Sequence, residues 1–209
     1  MSPPASRRAL FVVVEGIECS GKSTLLAALA ERLRSEDRDV LVTREPGGTP
    51  LGEAVRTIAL DRSIAVTPMA EALLMNAART QHVAAAIRPA LETGRTVLCD
   101  RYVDSTLAYQ GYGRGLDLGV LRALCDAATG GLMPDVTLVV DVPVGVSRER
   151  LRLRGVVADR MESEDDGFHE RVRQGYLALS KRAGGSVLDG TQNAPDVLRQ
   201  ALDVLAAVL

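Results

Sequence analysis

A short apolar run, Leu10–Val14, leads straight into Gly16-Ile17-Glu18-Cys19-Ser20-Gly21-Lys22-Ser23. The spacing is G-x-x-x-x-G-K-[ST], and it falls where the physics needs it, after an apolar strand and before a helix. Glycine at both ends lets the backbone turn its N–H groups inward around phosphate oxygens, a concavity that a side chain would obstruct. The helix beyond adds the positive end of its dipole. Lys22 suits the β- and γ-phosphates of a nucleotide, the Ser23 hydroxyl suits Mg²⁺, and Thr24 closes the nucleotide-contacting stretch. Such a loop serves kinases, GTP switches, motors and transporters alike, so it establishes nucleotide binding and leaves the reaction open.

Transfer of a phosphoryl group to a second phosphorylated substrate requires further cations, and three segments carry them. Arg44-Glu45-Pro46-Gly47-Gly48-Thr49 is a loop punctuated by proline and paired glycines, with Arg56 in the helix beyond it. Asp100-Arg101-Tyr102 ends a strand, at the edge where open α/β sheets bind ligands. Arg148, Arg150, Arg152, Arg154 and Arg160 gather around Gly155 in a stretch with the character of a lid. A nucleotide switch needs neither acceptor-phosphate arginines nor an arginine-bearing lid, so Arg56, Arg101 and Arg154 weigh against that class. The remaining arginines, Arg148–Arg152, are expected to form an exposed helix face.

The elements that must position these groups alternate along the chain. Leu10–Val14, Val40–Thr43, Thr96–Cys99, Val136–Val140 and Val187–Leu188 read as strands. Thr24–Ser35, Leu51–Leu60, Met69–Leu91, Leu118–Ala128, Phe168–Ala183 and Asp196–Val208 read as helices. Alternation of this kind predicts an α/β fold, a mostly parallel five-stranded sheet flanked by helices, with a mobile lid at about 148–163. The expected organisation is a disordered extension, 1–9, and one domain over 10–209. Aromatic residues are only 3% of the chain, so Ala, Val and Leu must build the core.

The sequence Thr43–Thr49 (TREPGGT), Asp100–Tyr102 with Ser105–Gly115 (DRY, STLAYQGYGRG), Pro134–Asp141 (PDVTLVVD) and Asp159–Glu162 (DRME) resembles the thymidylate kinases over nearly its whole length. The bacterial branch fits better, because no basic residue stands among Ile17, Glu18, Cys19 and Ser20 and the transition-state arginine then comes from the lid. The resemblance implies a P-loop kinase that phosphorylates dTMP to dTDP with ATP and Mg²⁺. By it, Lys22, Arg154, Asp100 and Arg101 are catalytic, and residues 16–24 bind ATP. Glu18 holds the sugar 3′-hydroxyl, Arg56 and Arg101 grip the acceptor phosphate, and Arg79 bonds the thymine edge. Ser105, Tyr109 and Gln110 complete the base and sugar pocket, with Glu45 and Pro46 in the neighbouring loop. Ser23 and Asp100 serve the metal, Asp100 through water. A homodimer packed through the long central helices is implied as well.

Two positions depart from the family pattern. Met75 stands where an aromatic ring commonly stacks on the base, and Ala78 where many relatives carry an acid that could pair with Arg79. These bear on the base rather than on the reaction, so a kinase of another or a modified pyrimidine monophosphate is the nearest rival. The formal net charge of −2 gives no reason to expect a nucleic-acid partner. No apolar segment has the length of a membrane span or signal core, and the odd, scattered Cys19, Cys99 and Cys125 suit a reducing, cytoplasmic setting. Cys19, beside Lys22 and a helix N-terminus, is expected to be the reactive thiol, and His82 and His169 to be structural or solvent-facing.

Overall fold

The protein is described by a computed structural model over residues 8–155 and 157–208. Of the expected extension, residues 1–7 lie outside the described residues, while Arg8 is paired with Asp135. In chain order the first elements are β1 (Phe11–Glu15), α1 (Lys22–Ser35), β2 (Val40–Arg44), α2 (Pro50–Leu60), α3 (Pro68–His82) and α4 (Arg88–Glu92). Then come β3 (Thr96–Asp100), α5 (Val103–Thr106), α6 (Leu118–Thr129), β4 (Val136–Asp141), α7 (Val144–Arg154), α8 (Asp166–Leu179), β5 (Gly185–Asp189) and α9 (Ala194–Leu205). The strands form one sheet in the order β2-β3-β1-β4-β5, and every pairing is parallel.

The five residues of β1 are all buried, because helices cover both faces of the sheet. Leu10, Val12 and Val14 meet Leu25, Leu29 and Leu33 of α1 and Val197, Ala201 and Leu205 of α9. Phe11 and Val13 point the other way, into a cluster with Ala72, Ile87, Tyr102, Leu121, Val172 and Tyr176. The few aromatic residues are concentrated on this second face. Tyr102 stands edge-on to Phe11 at 5.0 Å, and Tyr109 stands edge-on to Phe168 and Tyr176 at 6.1 and 6.2 Å.

Two helical stretches differ from the sequence expectation. The single helix anticipated over 69–91 ends at His82, continues as a wider π turn, Val83–Ile87, and resumes as α4. Pro89 explains the break, since it has no N–H for the carbonyl four residues back and its ring crowds that carbonyl. The segment after α5, Leu107–Gly113, is also π-wound, although its glycines are poor helix formers. Close packing selects them: a Cβ on Gly113 would lie 2.6 Å from the Phe168 ring.

The chain leaves β1 toward β2 on one side and leaves β3 toward β4 on the other, so a crevice opens at the carboxyl ends of β1 and β3. The loop after β1 starts at Gly16, whose φ of 142° suits glycine and whose added Cβ would lie 2.5 Å from the Val140 carbonyl oxygen of β4. Gly16→Ala is therefore expected to destabilise the fold by about 2 kcal/mol or more, through backbone strain and overlap with an immobile strand. Thermal melting checks this: a midpoint lowered by roughly 5 °C or more is expected, and an unchanged one rejects the steric account.

Candidate active site

α1 begins at Lys22 with Gly21 in a left-handed conformation before it and no side-chain cap, so the first N–H groups of the helix stay open to an anion. Lys22 is buried and donates to the Ile17 carbonyl at 2.7 Å, curled back under the loop. Its ammonium is pushed down to about 8, by burial first and then by the Arg101 charge, against the opposing pull of Asp100, Glu18 and Glu15. Gly16 and Ile17 shape the loop from below, Ile17 being part of the core. Two cavities meet here. One is bordered by Glu18, Glu45, Pro46, Arg56, Met75, Arg79, Asp100, Arg101, Ser105, Tyr109 and Gln110, and so gathers the whole set expected around an acceptor. The other runs along Ser20, Gly21 and Thr24 to Arg150, Gly190 and Gln192. Cys19, Lys22, Ser23 and Arg154 border both.

The first cavity is organised around Arg101. This residue has a φ of 71°, a conformation that L residues adopt only when surroundings hold them there. Its N–H donates to the Val14 carbonyl at 3.0 Å. Immediately after it, the buried Glu15 carboxylate accepts from the Tyr102 N–H at 2.8 Å, the Ser105 N–H at 3.2 Å and the Ser105 hydroxyl at 2.6 Å. The Arg101 guanidinium donates to Tyr176 at 2.7 Å, to Glu18 and Tyr109 at 3.1 Å each, and to Ser105 at 3.3 Å. Tyr109 also donates to Glu18 Oε1. Burial alone would raise the Glu18 carboxyl, but the approach of His169 and the charges of Arg101 and Lys22 outweigh it and hold it well below the usual carboxylate range. His169 Nδ1 stands 3.4 Å from Glu18 Oε2, and that oxygen has no hydrogen-bond partner among the described residues. It is a buried, unpartnered acceptor on a residue that borders the first cavity.

Arg79 lies deeper, at the cavity floor. It donates to Glu45 at 2.7 Å, to Asn76 and Thr106 at 3.0 Å each and to the Tyr102 carbonyl at 2.9 Å, which engages all but one of its hydrogen-bonding N–H groups. Glu45 is held from the other side by His82 Nδ1 at 3.0 Å, and His82 Nε2 meets the Thr43 hydroxyl at 2.7 Å. His82 is thus structural, as expected, and Glu45 orders its loop with both oxygens occupied. Arg56 donates to the Pro46 carbonyl at 3.3 Å from the side of α2, and Met75 is half-buried on α3.

On the lid side, Arg154 ends α7 and donates to both Glu162 oxygens at 2.8 Å. Arg160 is engaged by α2 and α3 instead: it pairs with the buried Glu71 at 2.7 Å and donates to the Ala59 carbonyl at 2.8 Å. The expectation of an exposed, idle arginine face fails for two residues. Arg150 donates to the loop carbonyls of Cys19 and Ser20 and to Gly190, and Arg148 pins Asp166 and the Glu162 carbonyl. Arg152 is exposed.

Magnesium suits the remaining pair. Ser23 Oγ lies 3.2 Å from Asp100 Oδ2, and Asp100 Oδ1 is buried with no hydrogen-bond partner among the described residues. No cluster of three or more His, Cys, Asp or Glu side chains able to hold a metal occurs among them either. Two protein oxygens at a phosphate loop match Mg²⁺, which keeps waters and substrate phosphates in its shell.

Sequence reading named Arg44, Thr106, Met161 and Glu162 only within longer motifs and gave them no place in the site, and it missed Leu60 on the first cavity and the loop carrying Gly190 and Gln192 on the second. The Asp189-Gly190-Thr191-Gln192 run after β5 was the available signal, because it too leaves the carboxyl end of a strand. The environment of Cys19 works against the reactive-thiol expectation. Burial pushes its thiol above the ordinary value, and Glu162 and Glu18 offset the favourable Arg154 and Lys22 charges.

Glu15 and Glu18 make opposite contributions to stability with pH. The Glu15 carboxyl is pushed from 4.5 up to about 7, by burial first and then by Asp104. Its stabilising contribution is complete below pH 4.5 and is lost as pH rises through about 7. Glu18, held low, contributes above its ordinary value and loses that contribution as pH falls below it. Glu15→Gln keeps an acceptor for both N–H groups and removes the charge. Relative to wild type, the variant is expected to gain on the order of 3 kcal/mol as pH rises from 4.5 to 7, read by denaturant unfolding. A difference that does not change with pH would show that Glu15 does not titrate in this window.

The family model for thymidylate kinase matches residues 14–201. A thymidylate kinase of Desulfovibrio desulfuricans is 49% identical over 209 residues, covering 96% of each chain. One from Thermomicrobium roseum is 55% identical over 172 residues, covering 82% of this chain and 81% of the relative. The crystal structure of thymidylate kinase from Ehrlichia chaffeensis superposes with a TM-score of 0.77 at 33% identity, covering 95% of this chain and 99% of that one. With both cavities, their shared phosphate loop and these likenesses in agreement, the chain belongs to the thymidylate kinase family.

Proposed function

We propose that the chain transfers the γ-phosphoryl group of ATP to the 5′-phosphate of dTMP at the junction of the two cavities. The observation that carries this reading is that Lys22, Ser23 and Arg154 border both spaces, one lined by the phosphate loop and one by acceptor-type groups. ATP lies along residues 16–24, with its nucleoside toward Arg150 and Gln192. Arg56 and Arg101 take the acceptor phosphate, Glu18 Oε2 the 3′-hydroxyl, and Arg79, Gln110 and Met75 the base.

The chemistry needs little from a base. An acceptor phosphate is largely ionised at neutral pH, so one of its oxygens attacks the γ-phosphorus while the bond to the β–γ bridging oxygen breaks. The protein's task is to hold two anions together and to meet the charge that spreads over the transferring group. Lys22 follows the moving phosphoryl, and the polyphosphate charge reinforces its ammonium form, which burial weakens in the free protein. Arg154 swings from Glu162 onto the equatorial oxygens. Ser23, and Asp100 through water, would hold Mg²⁺, which when bound would supply charge neutralisation on the phosphates. Homodimerisation through α2 and α3 is part of this reading, supported by the exposed apolar Leu51, Ile58, Met69 and Leu73. So is a cytoplasmic site of action, where ATP is abundant; among the described residues no helix is long and apolar enough to cross a membrane.

A coupled ADP-release assay over dTMP, dUMP, dCMP, AMP and GMP tests the assignment, with dTMP expected to give the highest kcat/KM. Lys22→Ala should reduce kcat/KM by at least about tenfold, and Arg154→Ala should lower kcat far more than it raises the KM for ATP. An intact kcat with a raised KM would make Arg154 an ordinary binding residue. Met75→Phe should tighten dTMP binding by roughly 0.5–1.5 kcal/mol through ring stacking, measured by titration calorimetry. Unchanged affinity in the folded variant would remove residue 75 from the base site.

A further inference from the structure

Glu71 borders neither of the two cavities and has no place in the mechanism above, yet it is completely buried beside the acceptor cavity. It sits in the first turn of α3 and receives three side chains from two other segments. Gln110 Nε2 donates to its Oε1 at 2.6 Å, while Arg160 and Arg114 reach Oε2 at 2.7 and 3.3 Å. Arg114 has a second carboxylate, Glu164, at 2.7 Å.

A carboxylate only accepts hydrogen bonds, so the Gln110 amide can meet Glu71 only through its NH₂ group. That decides which way round the amide lies. Gln110 borders the acceptor cavity, and its Oε1 accepts no hydrogen bond from the described residues. The carbonyl oxygen is the end left for a ligand. An oxygen there favours an imide N–H and repels a ring-nitrogen lone pair. Thymine and uracil carry the N–H at the position where cytosine carries the lone pair.

We propose that Glu71 is a specificity-determining positioning residue: by fixing the Gln110 amide with its oxygen toward the base, it selects imide-bearing pyrimidines over cytosine without touching substrate. The proposal rests on the acceptor reading of this cavity. Glu71→Gln tests it, because an amide facing an amide can settle either way round. The ratio of kcat/KM for dTMP to that for dCMP is expected to fall about tenfold, the discrimination that one neutral hydrogen bond carries. The ratio for dTMP to dUMP, which share the imide, should not move. Equal losses on all three substrates would make Glu71 merely structural and overturn the proposal. If the single variant fails to fold, Glu71→Gln with Arg160→Met removes the charges as a pair and should show the same change in ratio. In a Gln110→Leu background, Glu71→Gln should change the ratio no further, and an additional change would place its action elsewhere. Failure of the wild-type protein to prefer dTMP over dCMP would instead sink the acceptor reading itself, and this proposal with it.

Discussion

Two highly charged anions must be brought into contact, and the cations that achieve this must first be buried without them. That electrostatic constraint runs through the site. Arg79 is buried against Glu45 and Arg101 largely buried against Glu18, while Arg154, which is exposed, is held by the buried Glu162. An unpaired buried guanidinium would cost several kcal/mol, whereas a paired one with its hydrogen bonds made is tolerated. Lys22 differs, since its strongest contact is a carbonyl, and burial disfavours its charged form in the free protein, as it does for Arg56. The carboxylates are therefore stand-ins as well as ligands. They hold the cations in geometry so that little reorganisation remains when phosphate arrives.

The backbone adds a second layer to the same solution. Arg101 can aim its guanidinium into the crevice because it leaves β3 in a left-handed conformation, and that conformation is fastened to β1 through Val14 and Glu15. One strand thus supplies the phosphate loop, the anchor for the acceptor arginine and, through Glu18, that arginine's counter-charge. The donor and acceptor halves of the site are referred to a common frame only a few residues long. Its burial on both faces makes that frame rigid.

Much of this was legible in the sequence. The G-x-x-x-x-G-K-S spacing located the phosphate loop because it depends on local backbone geometry, which a short stretch of chain encodes fully. The five strands were visible as apolar runs for the same reason. The sheet is wholly rather than mostly parallel, a distinction that depends on pairing between distant segments. The partners of the arginines were not legible. Glu45 and Arg79 are separated by 34 positions and Arg101 and Glu18 by 83, and nothing in periodicity links them. Cys19 shows the opposite error: its neighbours in sequence favoured a thiolate, but burial, which local sequence does not report, prevails.

The segment after α7 is stitched to α2 at two points, the Arg160 N–H on the Leu60 carbonyl and the Arg160 side chain on the Ala59 carbonyl. Arg56 lies one helical turn before Leu60 on that same helix. The distance between them is thus counted in residues, and α2 serves as a ruler between Arg56 in the first cavity and the Arg160 mooring. Substitutions on its outer face leave that measure intact. An insertion or deletion between Arg56 and Leu60 would rotate the arginine about 100° around the helix axis and shift the lid's mooring by about 1.5 Å together. Descendants of this chain are constrained to keep the length of α2 between Arg56 and Leu60.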